Sequence, residues 1–296
     1  MFVLFLCAVG FAINAPTAPS AFSSFWLRLR EQYVELAKNA LTGDLIETPS
    51  VLPQLQRQPV VQNYNARERS VGLDWPLYGY TMIGTKRMDC LQRLLIHVIN
   101  HNVDGDFIEC GVWRGGASIF SRLVWNVYHQ TNRVVYLADS FSGLPPSSSV
   151  LDKKVDWDQT PFLEVSLETV KRHFTHFGLG GDANVVFVKG FFNDSLPMLV
   201  RERSFKLAIL RLDGDMYESC ADIMANLYAR VSVGGVVVVD DWFGFPCKDA
   251  IESFFSYHHQ PLSVEVVDQY SVFFFKHVHF TVDPTWHQEF LKTKLI

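Results

Sequence analysis

Between residues 86 and 100 the apolar side chains Met88, Leu91, Leu94, Leu95 and Val98 recur every three or four positions, as on a helix with one buried face. Beyond them the period changes. Five short runs, at 106–111, 133–138, 184–189, 207–212 and 235–239, are apolar and rich in β-branched residues, the pattern of strands covered on both faces. Helical stretches lie between them. The clearest is 217–231, which the pair Gly234-Gly235 is expected to end, and another covers 248–257. Two last runs, 263–267 and 271–275, are separated only by Asp268-Gln269-Tyr270. So short a gap cannot hold the crossover that parallel neighbours need, so these two strands should form an antiparallel hairpin. The pattern predicts an α/β fold with a mostly parallel seven-stranded sheet, helices on both faces and the hairpin at its C-terminal end.

Ahead of this region the chain divides differently. Residues 2–15 are almost continuously apolar, too few to span a bilayer comfortably. They lack a basic start, and Pro16 and Pro19 crowd the small-residue positions where a secretory signal would be cut. Segment 1–21 therefore keeps two readings, signal or anchor against a plain N-terminal stretch. The compartment is open with it: cytoplasmic, or secretory if the segment is a signal, with membrane association only if it is retained. Residues 22–79 read as a lead-in or flap with one helix near 25–41, residues 80–276 as the α/β domain, and 277–296 as a tail.

Composition narrows the partners. The 296 residues are 48% hydrophobic and 19% charged, with a net charge of -5, which offers no basic footprint for nucleic acid. Cys7, Cys90, Cys110, Cys220 and Cys247 are scattered, without the close spacing of a zinc or redox site, and three of them, set in apolar or helical patterns, are expected to be packed free thiols. The histidines show no zinc-like spacing. Asn193-Asp194-Ser195 has the form of a glycosylation acceptor.

Chemistry concentrates at strand ends. Glu109-Cys110-Gly111-Val112-Trp113-Arg114-Gly115-Gly116 closes the first strand and opens a helix. Glycines there let backbone approach a ligand, and the helix start offers free N–H groups, although a tight turn alone would also explain them. The spacing is not G-x-G-x-x-G. Asp139 ends the second strand, where a carboxylate can accept both hydroxyl protons of a ribose; with the glycine turn it indicates an adenosine-containing ligand. Asp213 and Asp215 follow the fourth strand, and Asp240 and Asp241 the fifth. If the fourth and fifth strands are neighbours, as in this type of sheet, their ends lie roughly 5 Å apart and these acids converge, and a hard cation such as Mg²⁺ would relieve their repulsion. Asp215 and Asp241 can equally be read as helix caps, and adjacent Asp240 and Asp241 should face opposite ways, which places Asp213 and Asp240 ahead of Asp241 as ligands.

These motifs resemble the macrocin O-methyltransferase family. The matching pieces are Thr81-Met82-Ile83-Gly84, the 109–116 turn, Ala138-Asp139-Ser140-Phe141 followed by Gly143-Leu144-Pro145, segment 174–178, Gly190-Phe191-Phe192 with Ser195-Leu196-Pro197, and segments 212–219 and 234–241. The resemblance covers residues 80–276 and implies a class I methyltransferase fold, Rossmann-like, with 80–276 as its catalytic domain. It also implies methyl transfer from S-adenosyl-L-methionine to a hydroxyl of a sugar or other small polar acceptor. By the same likeness Mg²⁺ would bind at Asp213, Asp240 and Asp241, with Asp213 doubling as general base. Thr81, Met82, Glu109, Gly111, Val112, Arg114, Gly115, Asp139, Ser140 and Gly190 match positions around the cofactor, and Phe191 and Phe192 positions near its adenine. Two other readings compete: a nucleotide-dependent oxidoreductase, disfavoured by the glycine spacing and the terminal hairpin, and a non-catalytic S-adenosylmethionine-binding protein. Whether the chain forms a homo-oligomer is left open.

Overall fold

The computed structural model describes residues 21–51, 60–146, 151–152 and 160–293; the apolar start and Cys7 lie outside them. The described residues begin with α1 (Ala21–Thr42), then β1 (Ser50–Val51), β2 (Val61–Gln62), α2 (Ala66–Ser70) and β3 (Trp75–Pro76). The α/β region follows as α3 (Gly84–Asn100), β4 (Asp106–Cys110), α4 (Gly116–Val127), β5 (Val135–Asp139), α5 (Leu167–His176), β6 (Val185–Lys189) and α6 (Phe192–Glu202). It continues as β7 (Leu207–Leu212), α7 (Tyr217–Leu227), β8 (Val231–Val239), α8 (Cys247–Tyr257), β9 (Glu265–Val266), β10 (Val272–Phe275) and α9 (Pro284–Thr293).

The main sheet runs β6-β5-β4-β7-β8-β10-β9. Its first five strands are parallel, and β10 is antiparallel to both β8 and β9. Alternate residues serve opposite cores, as strand geometry requires. Phe107, Ile209 and Val236 face the α1, α3 and α4 side, while Ile108, Leu210 and Val237 face α6, α7 and α8. Strand order reverses between β4 and β7, leaving a crevice at their carboxyl ends, where open α/β sheets bind ligands.

Two expectations are corrected. The helix expected over 217–231 stops at Leu227, because Tyr228 turns into the core against Phe254 and Phe255 and the β-branched Val231 begins pairing with Leu207. Gly234 and Gly235 lie within β8, where the pairing register shifts: Gly234 takes φ 82° and donates to the Lys276 carbonyl at 2.8 Å. The second concerns the thiols. Cys220 and Cys247 form a disulfide between α7 and α8, with Cα atoms 5.4 Å apart, while Cys90 and Cys110 are buried free thiols. A separation of 27 residues concealed a pairing that two adjacent helices create.

The lead-in is folded onto the domain. β1, β2 and β3 form a small antiparallel sheet with two residues in each strand, too short for alternation to reveal. Fully buried Arg69 binds Asp74 through Nε and donates to the Thr42 and Thr48 carbonyls at 3.0 Å each.

Candidate active site

The crevice is a cavity of about 510 Å³. Thr81 and Met82 enter it from the loop before α3, Glu109, Gly111 and Val112 from the end of β4, and Asp139 and Ser140 from the end of β5. Phe191 and Phe192 come from the start of α6, and Asp213, Asp240 and Asp241 from the ends of β7 and β8. The remaining three residues of the resemblance stand outside this lining. Gly115 caps α4 at φ 87°, and the Gly190 amide donates to the Asp139 carbonyl at 2.9 Å. Arg114 turns away to donate to the carbonyls of Pro76, Leu77 and Gly79 at 2.8–3.1 Å, fastening the lead-in to the glycine turn.

Backbone contacts hold the loops together. Gly111 has φ 90°, and a methyl group on it would collide with the Asp213 carbonyl; the Asp213 amide donates to the Cys110 carbonyl at 2.9 Å. Asp139 accepts from the Val112 and Phe141 amides at 2.7 Å each, so one carboxylate ties the β4 turn to the β5 turn. Burial raises its pKa, and those amide donors oppose the rise.

At the other end of the cavity, oxygens of Asp213, Asp240 and Asp241 lie within 4.8 Å of one another. Two buried arginines offset part of the charge. Arg211 reaches Glu109 at 2.8 Å, Asp213 at 2.7 Å and Asp240 at 3.0 Å. Arg87 bridges Asp240 and Asp268 at 2.7 Å each. Burial alone would raise the Asp240 carboxyl, but Arg211 and Arg87 hold it below its ordinary range. The other acids move the opposite way. Burial, then Asp213 and Asp240, push Asp215 up to about 8, and burial with Asp215 and Asp213 lifts Asp241 well above the usual carboxylate range. Asp241 accepts the Asp215 amide at 2.9 Å, so it caps that turn and still faces the cluster.

Hydrogen bonding within the cluster is incomplete. Asp240 Oδ1 makes no hydrogen bond and meets Arg211 Nη2, which makes none either, as a charge pair at 3.0 Å. Three converging carboxylates with an oxygen so placed fit a hard, oxygen-seeking cation.

Several site residues escaped sequence reading. Arg87 lies on the apolar stripe of α3, and Arg211 interrupts the apolar run of β7; a cation at a core position was the available signal for each. Asp222 on α7 lines the cavity, and His287 from α9 holds it at 2.6 Å. No local pattern announces that pair.

A parallel sheet reversing at a glycine-turn crevice and closed by antiparallel strands is the arrangement of class I methyltransferases. The sequence pattern of the macrocin O-methyltransferase (TylF) family matches residues 30–276, and this chain belongs to that family. The match reaches beyond the 80–276 span of the sequence motifs, so most of the lead-in belongs to the shared fold. The chain is 39% identical over 227 residues to demethyldecarbamoylnovobiocin O-methyltransferase of Streptomyces niveus, covering 75% of this chain and 84% of that protein. It is 33% identical over 244 residues to mycinamicin III 3''-O-methyltransferase of Micromonospora griseorubida, covering 80% and 92%. The solved structure of the O-methyltransferase NovP superposes with a TM-score of 0.77 at 36% identity, covering 84% of this chain and all of that one. The protein is therefore an O-methyltransferase.

Proposed function

We propose that this enzyme transfers a methyl group from S-adenosyl-L-methionine to a hydroxyl of a sugar carried on a small natural product, with Mg²⁺ at Asp213, Asp240 and Asp241 and with Asp213 as general base. The acceptor class is drawn from the relatives, one of which, from Streptomyces olivaceus, is named as a 4'-O-methyltransferase of a rhamnosyl tetracenomycin. The observation that carries the metal assignment is the convergence of three carboxylates, with Asp240 Oδ1 making no hydrogen bond and only a 3.0 Å charge contact to Arg211. When bound, the donor supplies an activated sulfonium methyl and the cation a Lewis acid that lowers the pKa of a nearby hydroxyl.

The protein's own groups divide the remaining work. Asp139, with its two amide donors, retains carboxylate lone pairs for ribose hydroxyls. Phe191, 39% exposed at the cavity edge, offers an apolar surface to the adenine. Asp213 has a side chain 26% exposed, against 5% for Asp240, so it is the acid open to an arriving hydroxyl and can take its proton. Arg211 holds Asp213 and Asp240 in place through one guanidinium.

The test uses labelled methyl donor with a panel of glycosylated acceptors, beside calorimetry with S-adenosylhomocysteine. Asp213→Asn and Asp240→Asn should each lower magnesium-dependent transfer by at least about 100-fold while leaving S-adenosylhomocysteine affinity within about threefold. Full turnover of either variant in chelator would sink the metal and general-base assignments and leave the methyl-transfer reading standing.

A further inference from the structure

The C-terminal helix α9 lies wholly beyond residue 276, where the pattern shared by the family stops, yet it reaches the wall of the cavity. Other residues settle how it packs. Trp286 is buried with its ring 5.0 Å from that of Phe254 on α8, and the Thr285 and Tyr257 hydroxyls are 2.7 Å apart. His287 turns instead to α7, where its Nε2 lies 2.6 Å from Asp222 Oδ1. A carboxylate can only accept, so the imidazole is the donor. Trp286 and Thr285 already dock α9, and the His287 contact is not needed for that.

Asp222 belongs to a face of α7 that borders the cavity. Glu218, Ser219 and Asp222 all line it, and residues spaced by three and four share one side of a helix. That face starts beneath the acid loop, since a methyl group on Gly214 would stand 3.2 Å from Ser219 Cβ. Asp222 follows Glu218 by one turn, roughly 6 Å along the axis, which places it to meet a part of the acceptor other than the hydroxyl at Asp213. Asp222 is 6% exposed. Its Oδ1 takes the His287 bond, while Oδ2 accepts no hydrogen bond from any described residue. Enclosing an acid with half its acceptor capacity unused is costly unless something in the cavity uses it. The group that would do so is a hydrogen-bond donor, and sugar hydroxyls are donors of this kind.

We propose that Asp222, held in place by His287, reads a second hydroxyl of the acceptor, and that α9 thereby takes part in acceptor choice. His287 is a positioning residue, acting through Asp222 rather than on the acceptor itself. The proposal rests on the reading of the acceptor as a sugar and is independent of the metal.

Methyl transfer to a glycosylated acceptor, and to deoxy analogues that each lack one hydroxyl other than the methylated one, tests it. The parent should lose about tenfold in kcat/KM on one analogue. Asp222→Ala should show that loss on the complete acceptor, carried by KM with kcat within about threefold, and no further loss on that analogue. His287→Ala should show the same pattern in weaker form, and His287→Gln, which keeps an N–H donor, should restore the parent's preference. Calorimetry should find S-adenosylhomocysteine affinity unchanged in all three. The proposal is overturned if Asp222→Ala discriminates among the analogues as the parent does, or if the parent disfavours none of them. It is also overturned if His287→Ala lowers the melting temperature without changing acceptor KM, which would leave His287 a prop for α9. A parent that methylates no glycoside removes the sugar reading and this proposal together, whereas glycoside turnover with any of the other overturning results removes this proposal alone.

Discussion

Single cations in the core set much of this protein's electrostatic character. Arg211 lies between Glu109, Asp213 and Asp240, and its removal would leave buried Glu109 and partly buried Asp213 without this cation and Asp240 with Arg87 alone, which is more costly than the pairing is favourable. Lys276 is placed differently. It is 1% exposed, and its ammonium group donates to the Tyr228 carbonyl at 3.0 Å and lies over that residue's ring at 4.6 Å. Burial lowers its pKa from 10.5 to about 8. Because the folded value is the lower one, between about pH 8 and pH 10.5 the unfolded chain holds a proton that the folded chain has released. Stability from this group therefore rises with pH through that window and is reduced below it. Lys276→Met should flatten the rise, and at pH 7 its stability should stay within about 1 kcal/mol of the parent, since the charge cost and one hydrogen bond are lost together. Urea unfolding at intervals from pH 7 to 10 gives the comparison; an unchanged pH slope in the variant would refute the assignment.

At the scale of elements, periodicity revealed whatever was long enough to have a period. The five parallel strands and the terminal hairpin announced themselves because both sheet faces are covered and the gap 268–270 admits one topology. The two-residue strands β1 to β3 had no alternation to display, and the glycine pair in β8 looked like a helix stop because the same residue type serves a shifted strand. The disulfide was hidden because it depends on helix adjacency. It joins α7 to α8 at points shortly after the segments carrying Asp213 and Asp241, and it closes a 27-residue separation. On the chain-entropy account a loop of that size contributes about 3.5 kcal/mol. Cys220→Ala with Cys247→Ala should lower unfolding free energy by about that amount, and a reductant should destabilise the parent but leave the double variant unaffected. A parent indifferent to reductant in denaturant titrations would show that the bond contributes nothing.

Across the whole molecule, the site's legibility follows chain separation. The glycine turn and the paired acids occupy contiguous strand ends, so their placement at one crevice could be read from the sequence. Arg87 meets Asp240 across 153 residues, and His287 meets Asp222 across 65, and no local pattern encodes either meeting. The cavity is thus assembled from loops distributed over most of the chain, and only the folded state can hold its ligands. A ligand that binds the folded state alone at 100 times its Kd adds about 2.7 kcal/mol, several degrees in melting temperature for a domain of this size. S-adenosylhomocysteine and Mg²⁺ should therefore each raise the melting temperature, and the two rises should be separable by mutation. Asp139→Ala should abolish the first and keep the second, because Asp139 stands at the β5 end of the cavity, where the ribose is proposed to bind. Asp240→Asn should do the reverse, since it removes one of the three converging carboxylates. If Asp240→Asn responded to Mg²⁺ as the parent does, the cation would have to bind elsewhere, whatever the fate of the nucleoside site.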